Sequence, residues 1–295
     1  MKNKKTVFEG CATALVTPFK DGKIDFDSLG RLIDFQIENG VHALVILGTT
    51  GESPCVDFDE RDKIIAYAKE KINSRVPMLV GTGTNNTKTS IKLTQGAQNL
   101  GADGVLLVTP YYNKATQRGL CEHYRAVASS TDLPVILYNV PSRTGLRLGN
   151  EALEGLCEVE NIVAIKEASA DIGELEGKIA RFGDYFNFYS GCDELILPTY
   201  ALGGIGVISA VANVIPSKIA TLCQLCAKNE RKEAINLASE LSSFIREMFA
   251  EVNPIPVKCA LSLMGLCKNE LRLPLTPSTR ENKIKVEMSI FSSAK

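Results

Sequence analysis

Apolar, β-branched runs recur along the chain at residues 12–19, 43–48, 77–80, 104–109, 134–138, 162–166, 186–190 and 204–209. Continuous runs of this kind, without polar alternation, belong to strands covered on both faces, as in a parallel sheet. The longer stretches between them are amphipathic and carry helix punctuation. Asp57 before Glu60 matches a capping box, Asn150 precedes an apolar helical pattern, and Gly40 and Gly101 sit where helices stop. About eight strand-then-helix units over this length predict an α/β protein, a closed (β/α)8 TIM barrel, with a doubly wound open sheet as the alternative. After the eighth run the pattern becomes helix alone, over roughly 216–228, 230–251 and 254–265, with Pro254 and Pro256 suited to an opening turn. The expected organisation is a barrel over 1–215 and a helical appendix over 216–295 packed against it, with no Ser/Gly-rich linker between.

One residue breaks the apolar rule. Lys166 ends the run Ile162-Val163-Ala164-Ile165-Lys166, where a core strand carries no charge. By the strand's period of two, Lys166 shares a face with Ile162 and Ala164, and the small Ala164 leaves room beneath a long inward side chain. Burial disfavours the ammonium and leaves a nucleophilic amine able to form a Schiff base with a carbonyl. The plainer alternative is a strand-end lysine with a buried stem and a solvated head.

In such a barrel, reactive groups gather at the carboxyl ends of strands. Gly48-Thr49-Thr50-Gly51-Glu52 ends the second run, Thr109-Pro110-Tyr111-Tyr112-Asn113 the fourth, and Tyr138-Asn139-Val140-Pro141-Ser142-Arg143-Thr144-Gly145 the fifth. The period of two places Tyr138 on the face of Ile136, and Thr49 on the face of Leu47 and Val45. Imine formation needs a group that moves protons to and from the carbinolamine oxygen, and Tyr138 beside Lys166 fits it. Alone, Tyr138 reads rather as an amphipathic core residue whose hydroxyl finds a backbone partner. The Gly48–Gly51 stretch offers N–H groups and hydroxyls for a carboxylate, or is an ordinary strand-to-helix turn. Arg143 could clamp a second carboxylate in bidentate fashion or be a surface arginine.

Composition narrows the alternatives. The chain has 295 residues, 45% hydrophobic, and 33 Lys+Arg against 34 Asp+Glu give a net charge of −1. That balance argues against binding nucleic acid or an anionic membrane surface. The amino terminus is basic over residues 1–5, but Thr13, Thr17 and Pro18 interrupt the apolar run after it, which reads as a first strand rather than a signal peptide. No run is long enough to span a bilayer. Nine cysteines without framework spacing read as free thiols in a reducing cytoplasm, and Cys223-Gln224-Leu225-Cys226 as helix packing. With only His42 and His123, a histidine-rich metal site is not expected, although a metal held by carboxylates alone stays open. No GxGxxG or Walker motif supports a nucleotide site.

The motifs GTTGE at 48–52, TPYYN at 109–113, YNVPSRTG at 138–145, IKEAS at 165–169, GVISA at 206–210 and NPIPVK at 253–258 together resemble the dihydrodipicolinate synthase family, in order from about Gly10 to Pro277. The resemblance implies a class I, Schiff-base lyase condensing pyruvate with aspartate semialdehyde on the way to diaminopimelate and lysine. It implies that Lys166 forms the imine, that Tyr138 donates and accepts protons, and that Thr49 and Tyr112 complete a relay, Tyr112 coming from a neighbouring subunit. By the same resemblance Thr50 and the Ile208 backbone hold pyruvate, Gly191 lines the pocket, and Arg143 receives the semialdehyde carboxylate. No metal or organic cofactor is implied, and the assembly is a homotetramer built as a dimer of dimers. N-acetylneuraminate lyase and keto-deoxy-sugar aldolases are the sibling alternatives, and a catalytically silent barrel is the alternative outside enzymes. In lysine-inhibited members two histidines and a glutamate help bind the inhibitor; here Phe58, Arg61 and Thr89 stand in their places, while Asn85 and Tyr111 match. A cationic Arg61 beside a cationic ligand predicts weak or absent feedback inhibition by lysine.

Overall fold

The computed structural model describes residues 5–293, so residues 1–4 of the basic amino terminus and the last two of the helical appendix lie outside it. Eight parallel strands close into a barrel: β1 (Gly10–Ala14), β2 (Ala43–Ile46), β3 (Met78–Gly81), β4 (Gly104–Val108), β5 (Val135–Asn139), β6 (Ile162–Glu167), β7 (Asn187–Ser190) and β8 (Gly206–Ser209). Closure comes from β1, which pairs with β2 on one side and β8 on the other. At that seam a Cβ on Gly206 would lie 2.2 Å from the Gly10 carbonyl oxygen, so two backbones meet where only glycine fits.

Helices follow the strands and cover them. The Glu60 carboxylate accepts the Asp57 N–H at 3.1 Å, the back-bond of the expected capping box before the helix Phe58–Ile72. Gly40 and Gly101 take positive φ just past the helices Phe26–Glu38 and Thr87–Asn99. Inside the barrel Ala12, Val45, Leu79, Leu106, Ile136 and Ala164 belong to one apolar cluster; a larger cluster fills the space between strands and helices. Phe8 and Tyr189 stack in the inner cluster with centroids 4.3 Å apart.

The strands stop earlier than two apolar runs suggest. The first run yields a strand only to Ala14; Phe19–Lys20 and Lys23–Ile24 form a separate antiparallel hairpin. The second ends at Ile46 because Leu47 adopts a left-handed φ of 57°. Leu47 therefore joins the outer cluster while Val45 stays in the inner one, and the alternation expected to carry Thr49 inward does not extend to it.

Beyond the barrel lie the helices Pro216–Ala227, Arg231–Met248 and Ile255–Leu263, as the pattern predicts, and a fourth, Arg280–Ser293, that it does not. Ile284, Val286, Met288 and Ile290 alternate like a strand, which hides that helix from a periodicity reading. The carboxyl-terminal region is tied to the barrel by buried charge. Lys258 Nζ lies 2.5 Å from Glu52 Oε1, both side chains being 0% exposed, and also donates to the Glu270 carbonyl at 2.7 Å. Arg272 donates its N–H to the same Glu52 and its guanidinium to Glu60. No disulfide joins any of the nine cysteines, and Cys223 is buried within its helix as expected. Among the described residues no helix is long and apolar enough to cross a membrane.

Candidate active site

Lys166 is the fifth residue of β6, 5% exposed, and in register with Tyr138 on β5 and Tyr189 on β7. Its Nζ stands 4.2 Å from the centroid of the Tyr138 ring. Burial lowers its pKa to about 8, with Asp193 and Cys192 pulling the other way and Arg143 adding to the drop. A neutral, nucleophilic amine is thus accessible near physiological pH.

Glu167, next on the strand, faces the other way and is fully engaged. It receives Lys178 Nζ at 2.7 Å, the Asn139 amide at 2.9 and 3.0 Å, and the Ser169 N–H at 2.8 Å. The strand's alternation separates a paired carboxylate outside from an amine inside.

Tyr138 is buried, which pushes its phenol up to about 12, against the pull of Arg143 and of the Thr49 hydroxyl beside it. It is therefore protonated at rest and able to donate. Thr49 reaches it from the turn after β2, where Gly51 N–H bonds the Gly48 carbonyl at 3.1 Å. That turn needs close approach: a Cβ on Gly81 of the next strand would lie 2.2 Å from the Leu47 carbonyl oxygen. Gly191 serves Lys166 directly, since a Cβ there would meet Ala168 Cβ at 2.6 Å and Lys166 Cε at 3.1 Å. Ile208 lies buried on β8 in the same inner cluster as Tyr138.

Arg143 projects from a one-turn helix, Pro141–Thr144, and donates through Nη2 to the Asn253 carbonyl at 3.0 Å. Asn253 also donates its side-chain amide to Thr50 Oγ1 at 2.9 Å. One residue of the carboxyl-terminal region thus holds two of the expected binding groups. Sequence reasoning noted NPIPVK as a motif without giving Asn253 this part.

A cavity of about 470 Å³ opens over Tyr138, Thr49, Arg143 and Thr144 and extends outward past Ser53, Arg61 and Thr89. Lys166, Thr50, Gly191 and Ile208 are not on its wall. Tyr112 is not brought to the others within the chain; it is 90% exposed with φ 70°.

Asp193 was not anticipated. It is 3% exposed, and its carboxylate receives the Ser209 hydroxyl and, at 3.2 Å, the Ala210 N–H just past β8. Burial pushes its pKa up, with the Ser209 hydrogen bond opposing most. The available signal was its place two residues past Gly191 at the end of β7. Among the described residues no three His, Cys, Asp or Glu side chains gather as a metal site.

The model of the dihydrodipicolinate synthetase family matches residues 7–292. The chain belongs to that family. A 4-hydroxy-tetrahydrodipicolinate synthase of Alkaliphilus oremlandii is 47% identical over 280 residues, covering 95% of this chain and 97% of that protein. Among solved structures, the dihydrodipicolinate synthase of Thermotoga maritima superposes with a TM-score of 0.95 at 42% identity, covering 98% of this chain and 99% of that one. A chloride-inhibited dihydrodipicolinate synthase of Acinetobacter baumannii, complexed with pyruvate, gives 0.95 at 40% identity, over 98% of this chain and 99% of its own. The family resemblance thus extends over the barrel and the helices beyond it.

Proposed function

We propose that this chain is a 4-hydroxy-tetrahydrodipicolinate synthase, a class I Schiff-base lyase that condenses pyruvate with L-aspartate 4-semialdehyde. The observation that carries the mechanism is the buried Lys166 amine against the Tyr138 ring. The amine adds to C2 of pyruvate, and Tyr138 supplies a proton to the carbinolamine oxygen, which leaves as water. The resulting iminium draws electrons from the methyl group. A proton leaves C3, and the enamine carbon bonds to the aldehyde carbon of the second substrate. The iminium is its own electron sink, so the reaction calls for no metal or organic cofactor. Attack of the semialdehyde's amine on C2 then closes the ring and releases Lys166.

Thr49 and Tyr138 form two members of a proton relay, and Tyr112 of a neighbouring subunit is the third. The 90% exposure of Tyr112, with a bulky residue at positive φ, supports a side chain placed by a partner rather than by its own barrel. Thr50 and the Ile208 backbone hold pyruvate, Gly191 leaves room for the imine, and Arg143 takes the semialdehyde carboxylate. The working assembly is a cytoplasmic homotetramer, a dimer of dimers in which each tight pair shares its Tyr112 residues.

Borohydride reduction with pyruvate, followed by peptide mass mapping, tests this reading. A pyruvyl adduct on Lys166 is expected, and an unmodified Lys166 would overturn it. Offering the trapped system's parent enzyme aspartate semialdehyde or a sugar aldehyde then separates this activity from the sibling lyases.

A further inference from the structure

The ladder between β5 and β6 is not regular. Val135 pairs with Ile162 but Ile136 with Ala164, so β6 carries one residue more than β5, and Val163 is the extra one. Its effect shows in the packing. Ile162 and Ile165 belong to the cluster between strands and helices, whereas the consecutive Val163 and Ala164 both belong to the inner one. The alternation is reset by one place, so that Lys166 faces the Tyr138 ring although Ile162 faces outward. The inward amine therefore depends on the bulge and not on an unbroken period of two from Ile162. A slip of one residue beyond the bulge would exchange the faces of all that follows, turning Glu167 in and Lys166 out.

Side chains hold the register at the far end of the same two strands. Tyr138 lies opposite Lys166, and the next pair is Asn139 opposite Glu167. On the outer face the Asn139 amide donates to both Glu167 oxygens, at 2.9 and 3.0 Å, with the two residues 0% and 5% exposed. The rest of the pair is committed too. Glu167 also accepts the Ser169 N–H at 2.8 Å and Lys178 Nζ at 2.7 Å, and Asn139 Oδ1 accepts the Leu148 N–H at 2.9 Å. Lys178 is buried, supplies the counter-charge, and is held in turn by Glu174 at 2.5 Å. Donors on β5 thus meet acceptors on β6 in one arrangement. Any other pairing of the strand ends would leave buried donors or acceptors unmet, which costs free energy.

We propose that Asn139 and Glu167 are positioning residues for the imine chemistry: their contact on the outside of the barrel locks the strand register that sets Lys166 against Tyr138 on the inside. This role presupposes the imine reading above and adds to it the device that fixes the reacting pair.

The test is steady-state kinetics, with the rate at which borohydride traps the pyruvyl adduct, on variants of the full-length protein whose folding is checked by thermal unfolding. Glu167→Gln introduces an amide of the same shape, and whichever way it turns a donor meets a donor at Asn139, Ser169 or Lys178. Its kcat and rate of adduct formation should fall about 10–100-fold, the scale of a misplacement of about an ångström. KM for pyruvate should change little, because Thr50 and the Ile208 backbone are untouched. Adding Asn139→Asp to Glu167→Gln reverses the direction of the contact and gives both the new amide and the Leu148 N–H an acceptor. That double variant should regain at least about tenfold in kcat over Glu167→Gln alone. Asn139→Leu removes the same contact from β5 should Glu167→Gln fold poorly, and should lose kcat likewise. Glu174→Gln loosens Lys178 without touching either strand end, and should lower the Tm while keeping kcat. Unchanged kcat in the single variants at Asn139 and Glu167, a double variant no faster than Glu167→Gln, or an equal loss of kcat in Glu174→Gln would each overturn the proposal. A parent protein that forms no adduct on Lys166 would instead overturn the imine reading, and this role with it, so the unsubstituted protein tells the two failures apart.

Discussion

The amine of Lys166 and the ring of Tyr138 occupy neighbouring strands in register, 4.2 Å apart, with both side chains withdrawn from solvent. Burial acts on the two in opposite directions, making the amine easier to deprotonate and the phenol harder. The pair therefore holds a nucleophile and a proton donor ready at one pH. Tyr138→Phe keeps the ring and removes the proton. It should lower kcat by about 10²–10³-fold with little change in Tm, as read by steady-state kinetics and thermal unfolding; a variant within a few-fold of wild type would contradict the assignment.

The nucleophile must be neutral, and the lowered pKa of Lys166 sets where that happens. Below about pH 8 the neutral fraction, and with it kcat/KM for pyruvate, should climb roughly tenfold per pH unit, levelling above it. A profile flat from pH 6 to 8 would show that the amine is not rate-determining in this range.

Lys166 also costs stability. Its folded pKa, about 8, lies below the ordinary 10.5, so the folded protein binds this proton less tightly than the unfolded chain. The penalty, ~3 kcal/mol, is complete below pH 8 and disappears as pH rises through 10.5. Lys166→Met should be inactive yet more stable at pH 7, with the advantage shrinking toward pH 10, as urea denaturation would measure. A destabilised Lys166→Met at pH 7 would overturn this.

Arg143 is exposed, donates to the Asn253 carbonyl and holds the second substrate in the proposed mechanism. Arg143→Ala should leave borohydride trapping of pyruvate intact while turnover of the semialdehyde falls by about 10²-fold, one charge-assisted clamp being worth a few kcal/mol. Equal loss of both steps would mean that its part is structural.

Millimolar L-lysine should leave the initial rate unchanged. Arg61 stays cationic in the cavity where Phe58, Thr89, Asn85 and Tyr111 also lie, and it repels an ammonium. Half-inhibition by millimolar lysine in an initial-rate assay would refute this.

Much of the architecture was legible because strand burial and helix punctuation are local. The eight apolar runs, the capping residues Asp57 and Glu60 and the stop glycines Gly40 and Gly101 each declare themselves within a few residues. Lys166 was legible as a charge in an apolar strand. What escaped depends on contacts made across the chain or on backbone geometry. The left-handed Leu47 that ends β2, and so places Thr49 by a turn rather than by alternation, has no local mark. Asn253 and Asp193 matter through partners far away or through burial that composition does not reveal. Arg280–Ser293 was missed because its apolar residues alternate, and tertiary packing decides its helix.

Thr50 and Asn253 are joined by a hydrogen bond across 203 positions of sequence, and Glu52 and Lys258 by a buried ion pair across 206. During synthesis every barrel strand emerges before either tether exists. A nascent chain stalled after Ser209 holds Lys166 and Tyr138 but lacks the groups that fasten Thr50 and Arg143. Translation order thus imposes a delay between making the reactive pair and completing the mouth around it, so the grip on Thr50 and Arg143 is the last part of the site to be fastened.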